Sequence, residues 1–311
     1  MRLGFPVKIL GHPGLRPYDS RRWHNSPHLT VSLAYLRDII LYLERKRIRF
    51  YRLASELAPY IAHPDFPAFH HQIEECAHEL EEVGKMARER GIRFSFHPSY
   101  INLTSLHQEV VEHSLQQIIA LTRILEAMNL GLEAVVVIHA GGAYGDKASA
   151  LSRLCRVLEN LPHEVRLRLS LENDDLLFSV NDLLWVHART GVPITFDHLH
   201  FLNHSDGMEE QEALKLCLET WPESIIPKVH FSSPRTAMKL SDDGGKRRAY
   251  PPQPSEHADF VNPFEFISFC RMALMTCRRD FDIMLEAKAR DLALLELRGN
   301  LRKFAPELEV E

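Results

Sequence analysis

Imidazole and carboxylate side chains follow six short apolar runs of the sequence, each at the point where the run ends. These strand-end residues are His97, His139, Glu172, Asp197 with His200, Lys228 with His230, and Glu286. Imidazole nitrogen and carboxylate oxygen together suit Mn²⁺, Zn²⁺ or Fe²⁺, whereas all-oxygen sites suit Mg²⁺ or Ca²⁺. The set exceeds the needs of one ion and a carboxylate can bridge two, so it predicts a cluster of two or three. Clustered cations suit phosphoryl chemistry, because they activate water and stabilise the leaving oxygen.

Three further residues are candidates for the same site. His63, in the loop after the second run, is interpreted as a ligand, a group supporting a ligand or a phosphate contact. His257, after a proline-rich loop, is a candidate ligand that Asp259 would orient. Lys228 lies two residues before His230, hence on the same side of an extended segment. It is interpreted as a carboxylate partner or a phosphate contact, with reaction with CO2 to form a carboxylate as a further hypothesis.

Histidine is abundant in this chain, with 18 residues, but only the strand-end positions carry a metal interpretation. His198, next to Asp197, is expected to point away from the site if the strand continues. The loop Gly141–Gly145 lacks the spacing of a P-loop, and its glycines are expected to let backbone pass close to a bound phosphate. Arg235, Lys239 and the stretch 244–248 are candidate phosphate contacts, with a solvated surface loop as the alternative.

The strand-end residues need a scaffold that brings strand ends together, and the chain alternates short apolar runs with helical patterns. The predicted strands are Leu3–Pro6, Ile48–Leu53, Ile92–Phe96, Ala134–His139, Leu167–Leu171, Pro193–Phe196, Ile225–Phe231 and Phe281–Leu285. The predicted helices are Pro67–Arg90, Gln108–Met128, Lys147–Leu161, Val180–Arg189, Glu210–Thr220 and Pro263–Cys277. This alternation predicts an α/β fold, a single (β/α)8 TIM barrel over residues 1–311 with its site at the C-terminal face of the strands. A doubly wound open sheet is the alternative, weakened by the absence of GxGxxG after the first strand.

Composition agrees with an ordinary globular protein. The chain has 311 residues, 45% of them hydrophobic, and a formal net charge of −5, which excludes a uniformly basic coat but not a local basic groove. No apolar run approaches the roughly 20 residues of a membrane span, and the N-terminus does not resemble a signal peptide. Five widely spaced cysteines favour a reducing compartment, hence the cytoplasm. Only Ser241–Ser255 has the composition of a long loop.

Several short motifs are distributed over nearly the whole chain. They are Arg2–Pro6, His63–Pro64, Ser95–Pro98, Ile138–Gly145, Leu171–Asp175, Phe196–His200, Pro227–Pro234, His257–Asp259 and Leu285–Lys288. In these motifs and their order, the chain resembles the UV damage endonuclease (UvdE) family. The resemblance to endonuclease IV and the xylose isomerase-like barrels is more remote.

The resemblance implies a DNA repair nuclease that cleaves the phosphodiester immediately 5′ to a lesion, leaving a 3′-hydroxyl and a 5′-phosphate. By position, the metal ligands are His97, His139, Glu172, Asp197, His200, His230, His257 and Glu286. Glu172, Lys228 and His63 are the expected catalytic residues. The expected cofactor is Mn²⁺, as two or three ions, with Zn²⁺, Co²⁺ and Mg²⁺ as alternatives. The expected partner is damaged double-stranded DNA, bound by a monomeric, nucleoid-associated chain without membrane or nucleotide cofactor.

The chain departs from the family at the positions that probe the lesion. Members carry a glutamine and an aromatic residue after the His-Pro-x of the third strand, where this chain has Tyr100 and Ile101. Phe5 stands where some members have tyrosine, and Lys8 and Ile9 lack the usual asparagine. The expected DNA contacts are Phe5, Tyr100, Ile101, Tyr144 and Arg235. Apolar side chains can kink DNA without hydrogen bonding, so the substituted positions can still distort the duplex. They are expected to decide whether UV photoproducts, abasic sites or other lesions are cleaved.

Two other functions fit parts of the pattern. A sugar isomerase or epimerase could use the same barrel with two metals, although the imidazole content is higher than such a site suggests. A non-catalytic damage-recognition module with structural metals is the other alternative. Structural zinc sites are typically closed Cys/His tetrahedra, and a site rich in carboxylates argues against that alternative.

Overall fold

A ring of eight short parallel strands forms the centre of the structure, a computed structural model that describes residues 1–243 and 246–311. In chain order the strands are β1 (Leu3–Pro6), β2 (Phe50–Arg52), β3 (Arg93–Ser95), β4 (Val136–Ile138), β5 (Leu169–Glu172), β6 (Ile194–Asp197), β7 (Lys228–Phe231) and, after two strands described below, β10 (Asp282–Leu285). Every residue of these strands is buried, as expected for a parallel sheet covered by helices. The predicted TIM barrel is confirmed.

The ring is nearly closed, and its joint lies between β3 and β4. The other neighbours form regular parallel ladders in the order β3-β2-β1-β10-β7-β6-β5-β4. At the joint, Phe96 bridges to Val136, with its N–H donating to Val135 O and its carbonyl accepting from Val137 N, both at 2.9 Å. Arg93 Nε donates to Glu133 O at 2.9 Å across the same joint. One bridge and one guanidinium therefore hold the two strands together.

Helices surround the ring. They are α1 (Leu29–Lys46), α2 (Gln72–Glu75), α3 (Ala77–Glu89), α4 (Gln108–Ala127), α5 (Lys147–Glu159), α6 (His163–Leu167), α7 (Val180–Thr190), α8 (His198–Asn203), α9 (Glu210–Glu219), α10 (Pro263–Thr276) and α11 (Arg290–Phe304). Side-chain caps fix several ends: Ser179 and Asp182 form a capping box on α7, and Asn262 caps α10 before Pro263. No helix within the described part of the chain is long and apolar enough to cross a membrane.

The predicted helix Pro67–Arg90 is wrong in its continuity. The structure divides it into a 3₁₀ turn at Pro67–Phe69, α2 and α3, with Cys76 at φ −110° and ψ 22° between the two α-helices. The buried Gln72 side chain explains the late start, because its amide donates to Pro59 O at 2.7 Å and to Phe69 O at 2.8 Å. These bonds tie the beginning of α2 to the preceding loop.

The predicted loop Ser241–Ser255 is also wrong in part. An antiparallel hairpin, β8 (Lys239–Asp243) with β9 (Lys246–Tyr250), occupies its first half. The sequence Asp-Gly-Gly between the strands is a hairpin-turn signal that the loop prediction overlooked. Of the candidate phosphate contacts in 244–248, residues 244 and 245 lie outside the described residues.

The N-terminal end of the ring is held by a buried ion-pair network. Asp282, at the start of β10, accepts from Arg93 Nη1 at 2.9 Å and from Arg2 Nε at 2.8 Å. The Arg93 side chain is fully buried, and Arg2 also pairs with Glu133 at 3.1 Å. The network therefore links β1, β3 and β10 at the end of the barrel opposite the strand-end residues.

Candidate metal centre

The C-terminal ends of six barrel strands deliver the predicted ligands to one place. Two groups have ligand atoms that all lie within 4.8 Å of one another: His97, Glu172, His230 and Glu286, and His139, Glu172 and His200. Glu172 belongs to both groups because it ends β5, between the strands that carry the other ligands. The structure thus brings together six of the eight predicted ligands.

Glu172 is the hub of this arrangement. Its Oε2 lies 2.7 Å from His97 Nε2 and 3.6 Å from His139 Nε2, and its Oε1 lies 2.7 Å from His230 Nδ1. The side chain has no exposed surface. A buried carboxylate with both oxygens among imidazoles has the geometry of a ligand that bridges two cations.

Asp197 and His257, the other two predicted ligands, lie beside the groups. Asp197 Oδ2 is 3.9 Å from His230 Nδ1, while Oδ1 accepts from the N–H of His200 at 2.8 Å and caps α8. His257 Nδ1 lies 3.8 Å from Glu286 Oε2. Both residues are therefore at the edge of the cluster, within the reach of a small side-chain movement.

Several polar atoms of the cluster are buried without a hydrogen-bond partner among the described residues. They are His97 Nδ1, His139 Nδ1, Asp197 Oδ2 and His257 Nδ1, together with Glu172 Oε2 and Glu286 Oε1, which make no hydrogen bond but lie at ion-pair distance from His97 and Arg52. A buried polar atom without a partner costs about 1–3 kcal/mol, so such a concentration in one place is expensive. Cations bound among these nitrogens and oxygens would satisfy them, and the donor set fits Mn²⁺, Fe²⁺ or Zn²⁺.

The protonation states also suit metal binding. Burial lowers the pKa of His97 and His257, and it lowers the pKa of His230 to about 3, so these imidazoles are neutral near pH 7. Burial raises the pKa of Asp197 to about 8. Neutral imidazole is the form that binds metals, whereas Asp197 would have to release a proton to become a ligand.

Arg52 is the residue of the site that the sequence analysis missed. It ends β2, and its Nη2 donates to His230 Nε2 at 2.9 Å and forms an ion pair with Glu286. Because arginine only donates, His230 Nε2 accepts, and the ring proton lies on Nδ1 facing Glu172. The signal was present in the sequence, since Arg52 is a charged residue at a strand end, but only histidines, carboxylates and lysine were considered.

Lys228 lies inside the barrel and not among the ligand groups. Its side chain is fully buried, and Nζ donates to Ser95 Oγ at 3.1 Å and lies 5.7 Å from the ring centroid of Phe50. Burial, together with the charges of Arg52 and Arg93, holds the pKa of Lys228 well below its usual range. Burial thus disfavours the charged form of the amine, which lies two residues before His230 on the same side of β7.

His63 and His198 lie outside the ligand groups. His63 contacts the rings of Tyr60 and Phe66 in the loop after β2. His198 begins α8, hydrogen-bonds Glu210 and stacks on Phe231 at 4.5 Å between centroids. The structure therefore directs His198 away from the cluster, as the sequence predicted, although a helix and not a continuing strand is the reason.

The predicted DNA contacts divide into exposed and buried residues. Tyr100 is 87% exposed and Tyr144 is 44% exposed, and Arg235 is half-buried. Phe5 and Ile101 differ from expectation, because both side chains lie in the hydrophobic core and offer no surface to DNA. Phe5 packs edge-on against Tyr51 inside the barrel.

Gly141 shows why the loop after β4 needs glycine. Its φ is +120°, and a Cβ there would lie 2.3 Å from Asn102 Oδ1 and 2.5 Å from Thr104 Oγ1. Tyr144, three residues later, accepts from Asn102 Nδ2 at 2.6 Å. The close approach thus joins the loop after β4 to the loop after β3 and fixes Tyr144 at the mouth of the barrel.

The fold and the site together define a (β/α)8 barrel with a histidine–carboxylate cluster, a candidate metal-ligand set, at its C-terminal face. The family model described as UV-endonuclease UvdE matches residues 26–309. A UV DNA damage endonuclease of Bacillus pumilus (strain SAFR-032) is 35% identical over 269 residues, covering 82% of this chain and 78% of the relative. The chain therefore belongs to the UvdE family of nucleases.

Solved structures support the same placement. The crystal structure of SacUVDE matches with a TM-score of 0.80 and 27% identity, covering 97% of this chain and 98% of that protein. Endonuclease IV from Thermus thermophilus matches with a TM-score of 0.56 and 15% identity, covering 97% of this chain and 100% of that one. The second likeness concerns the fold alone.

Proposed function

We propose that this chain hydrolyses the phosphodiester immediately 5′ to UV photoproducts in double-stranded DNA, leaving a 3′-hydroxyl and a 5′-phosphate. The observation that carries the proposal is the convergence of buried, unpartnered imidazole and carboxylate atoms, among the described residues, at the barrel mouth of a UvdE family member. Abasic sites and other lesions belong to the proposed range. The sugar isomerase or epimerase alternative has only the barrel in its favour.

The proposed cofactor is a cluster of two or three Mn²⁺ ions. His97, His230 and Glu286 would hold one ion and His139 and His200 another, with Glu172 shared between them. Asp197 and His257 would complete the cluster. When bound, such ions supply Lewis acidity, which activates the attacking water and stabilises negative charge on the phosphoryl oxygens and the leaving 3′-oxygen.

The chain's own residues would orient and protect this chemistry. His97 and His230 are neutral near pH 7 and can bind a cation without a change in their net charge, and the buried carboxylates supply negative charge that offsets the cations. His200 differs, because burial opposes its protonation but the charges of Asp197, Glu172 and Glu286 outweigh burial and raise its pKa to about 9, so it would release a proton on binding a cation. Burial disfavours the charged form of the Lys228 amine and so favours its reaction with CO2, and its carboxylation stays a prediction. DNA would lie across the mouth, with Tyr100, Tyr144 and Arg235 as contacts.

The test is nicking of supercoiled plasmid, either UV-irradiated, abasic or untreated, with Mn²⁺ or with EDTA. We expect Mn²⁺-dependent nicking of irradiated plasmid and little nicking of untreated plasmid. Glu172→Gln is expected to lower the nicking rate by about a hundredfold or more, because the shared carboxylate is lost. End-labelled oligonucleotides with one photoproduct give the cleavage position and end groups.

Glu164→Gln, on the exposed surface of α6, is the matched control and should nick at the parent rate. Nicking that persists in EDTA would contradict the metal-dependent mechanism. Near-normal nicking by a folded Glu172→Gln variant would contradict the shared ligand. Failure of metal-loaded protein to nick any plasmid would bring the sugar isomerase or epimerase forward.

A further inference from the structure

An exposed tryptophan stands among other aromatic rings near the barrel mouth, in a region that neither the ligand groups nor the predicted DNA contacts use. We propose that the exposed face of Trp23 is a stacking site for an unpaired nucleobase of the bound DNA strand. The inference extends the proposed function, on which its biological setting rests. It concerns a subsite formed by Trp23, Tyr60, His63 and Phe66, which we name the aromatic platform.

The geometry of the aromatic platform leaves much of the Trp23 ring exposed. Trp23 is 54% exposed, and its ring stacks on Phe66 with centroids 5.5 Å apart and an interplanar angle of 24°. Tyr60 supports Phe66 edge-on at 5.2 Å, and His63 lies 4.6 Å from Phe66. The His24 ring lies perpendicular to Trp23 with centroids 5.6 Å apart, so Trp23 is the outer ring of the Phe66 stack and keeps more than half of its side chain exposed.

The loop that carries Trp23 is fixed before any ligand binds. Asp19 is buried, and its carboxylate accepts from Arg21 Nε at 2.8 Å and from the N–H of His28 at 3.0 Å. The N–H of Leu29 donates to Gln72 Oε1 at 2.8 Å. These bonds hold the residues on both sides of Trp23 in place, so the ordering of the platform is not a cost of binding.

The supporting rings belong to a loop that is held by the same glutamine. Gln72 Nε2 donates to Pro59 O and to Phe69 O, on either side of Tyr60, His63 and Phe66. Tyr60 has a φ of +58°, a left-handed conformation that a tyrosine keeps only where its surroundings enforce it. Gln72 therefore couples the two loops, and the platform behaves as one rigid surface.

The aromatic platform lies on the same face of the barrel as the metal centre. Its two loops follow β1 and β2, and loops that follow barrel strands lie at their C-terminal ends. Arg52, which pairs with Glu286 of the cluster, is the last residue of β2, immediately before the loop that carries Tyr60 and Phe66. A strand crossing the mouth can therefore reach both places.

The charge around Trp23 indicates a nucleic acid as the occupant. The loop over residues 7–28 contains Lys8, Arg16, Arg21 and Arg22 but Asp19 as its one carboxylate, in a chain whose net charge is −5. Arg21 and Arg22 directly precede Trp23, and both are exposed. A cationic loop beside an open aromatic face matches a phosphate backbone with a base stacked on the ring.

The test measures binding in EDTA, where cleavage does not interfere. A short oligothymidylate, a duplex with an unpaired thymine loop and a fully paired duplex are titrated, with intrinsic tryptophan fluorescence and anisotropy of labelled DNA as readouts. Stacking on Trp23 should quench its fluorescence with the two unpaired probes. Trp23→Leu should remove that quenching and weaken their binding by about tenfold to a hundredfold. Trp23→Phe, which keeps an aromatic face, should recover most of the affinity.

Trp185→Leu is the matched control. Trp185 is 37% exposed on α7, and Arg189 lies over its ring, so its loss should leave the binding of unpaired probes unchanged. Unchanged binding by a folded Trp23→Leu variant, or equal losses in the Leu and Phe variants, would overturn the proposal. Equal quenching by paired and unpaired DNA would also overturn it, because that result indicates a phosphate contact without base stacking.

The two proposals fail separately. Plasmid nicking tests the metal centre, whereas oligothymidylate binding in EDTA tests the aromatic platform without any cleavage. Quenching by unpaired probes in a protein that nicks no plasmid would reject the nuclease and keep the stacking site. Nicking of irradiated plasmid, together with unchanged binding of the unpaired probes by Trp23→Leu, would keep the nuclease and reject the stacking site.

Discussion

Arg52 contacts two candidate ligands at once and places a positive charge inside the metal centre. Its guanidinium pairs with the nearly buried Glu286 and hydrogen-bonds the fully buried His230. Burial of Glu286 without a counter-charge would be costly, so Arg52 stabilises the cluster while cations are absent. We infer that Arg52 neutralises Glu286 in the metal-free protein and that the cations do so in the metal-bound protein.

Replacement of Arg52 by methionine should therefore destabilise the metal-free protein more than the metal-loaded protein. Loss of one partner of a buried ion pair costs about 3 kcal/mol or more, and bound Mn²⁺ would satisfy Glu286 in its place. Urea unfolding with EDTA and with Mn²⁺ measures both states, and the gain in stability from Mn²⁺ should be larger for Arg52→Met than for the parent.

Arg49→Met is the control for that experiment, because Arg49 is exposed and only loosely paired with Glu311 at 3.7 Å. It should change neither state by more than about 0.5 kcal/mol. Equal Mn²⁺ increments in parent and Arg52→Met would show that Arg52 does not act as a counter-charge for the metal-free site.

At the residue scale, strand-end chemistry predicted most of the site. Glu172, His97 and His230 were identified because six predicted strands end in such side chains at the face where barrels carry active sites, although any one of them alone would more often be a cap or a hydrogen-bonding group. Phe5 and Ile101 were misplaced because a motif position gives no information on burial. Sequence position alone does not tell whether a ring inside a motif faces DNA or the core.

Among the elements, the barrel strands carry the ion-pair network that fixes their N-terminal ends. Asp282 on β10 binds Arg93 on β3 and Arg2 next to β1. These three side chains therefore connect barrel strands that are far apart in the sequence. Burial opposes ionisation, but the charges of Arg93 and Arg2 outweigh it and lower the pKa of Asp282. The network thus stabilises the base of the barrel when Asp282 is ionised.

Asp282→Asn should lower the free energy of unfolding by about 3–5 kcal/mol near pH 7, because Arg93 is left buried without its counter-charge. The carboxyl pKa is lower in the folded state, so its stabilisation is present above the unfolded value of about 3.9. That stabilisation is lost as the pH falls through the lowered folded pKa. Urea midpoints of parent and variant should therefore converge at acid pH.

Asp280→Asn, at an exposed position two residues earlier, is the matched control and should leave the stability within about 0.5 kcal/mol of the parent. A difference between parent and Asp282→Asn that stays constant from neutral to acid pH would argue that lost packing, not lost charge, is the cause.

Element prediction from sequence succeeded for the eight barrel strands and failed where tertiary contacts decide. The strands are short apolar runs that alternate with helices, a pattern that one sequence reveals. Helices α1 and α11 were not predicted, although the buried residues of α1 recur every three to four positions, so a helical signal was present in the sequence and was overlooked. The break at Cys76 and the start at Gln72 follow from hydrogen bonds to distant loops, which no local pattern records.

For the whole molecule, bound metal should contribute to thermal stability. The cluster carries several buried polar atoms without partners in the described part of the chain, and ligands that bind only the folded state raise its stability by mass action. Mn²⁺ at one hundred times its dissociation constant contributes about 2.7 kcal/mol, which corresponds to a rise of about 4 °C in Tm for a chain of 311 residues. Differential scanning calorimetry measures it.

EDTA should reverse the increase in Tm, and Glu172→Gln should show a much smaller one. An equal increase in that variant would mean that Mn²⁺ binds elsewhere on the protein.

The joint of the barrel has a consequence for how the ring is kept shut. His97 and His139 follow the two strands that meet there, and their rings lie 5.2 Å apart. Beyond the Phe96 bridge, few backbone bonds join these strands. Two ions that share Glu172, one held by His97 and the other by His139, would connect the two strands across this joint. Removal of the metal would then remove both the activity and a connection between β3 and β4. The metal-free protein would therefore be more flexible at this joint.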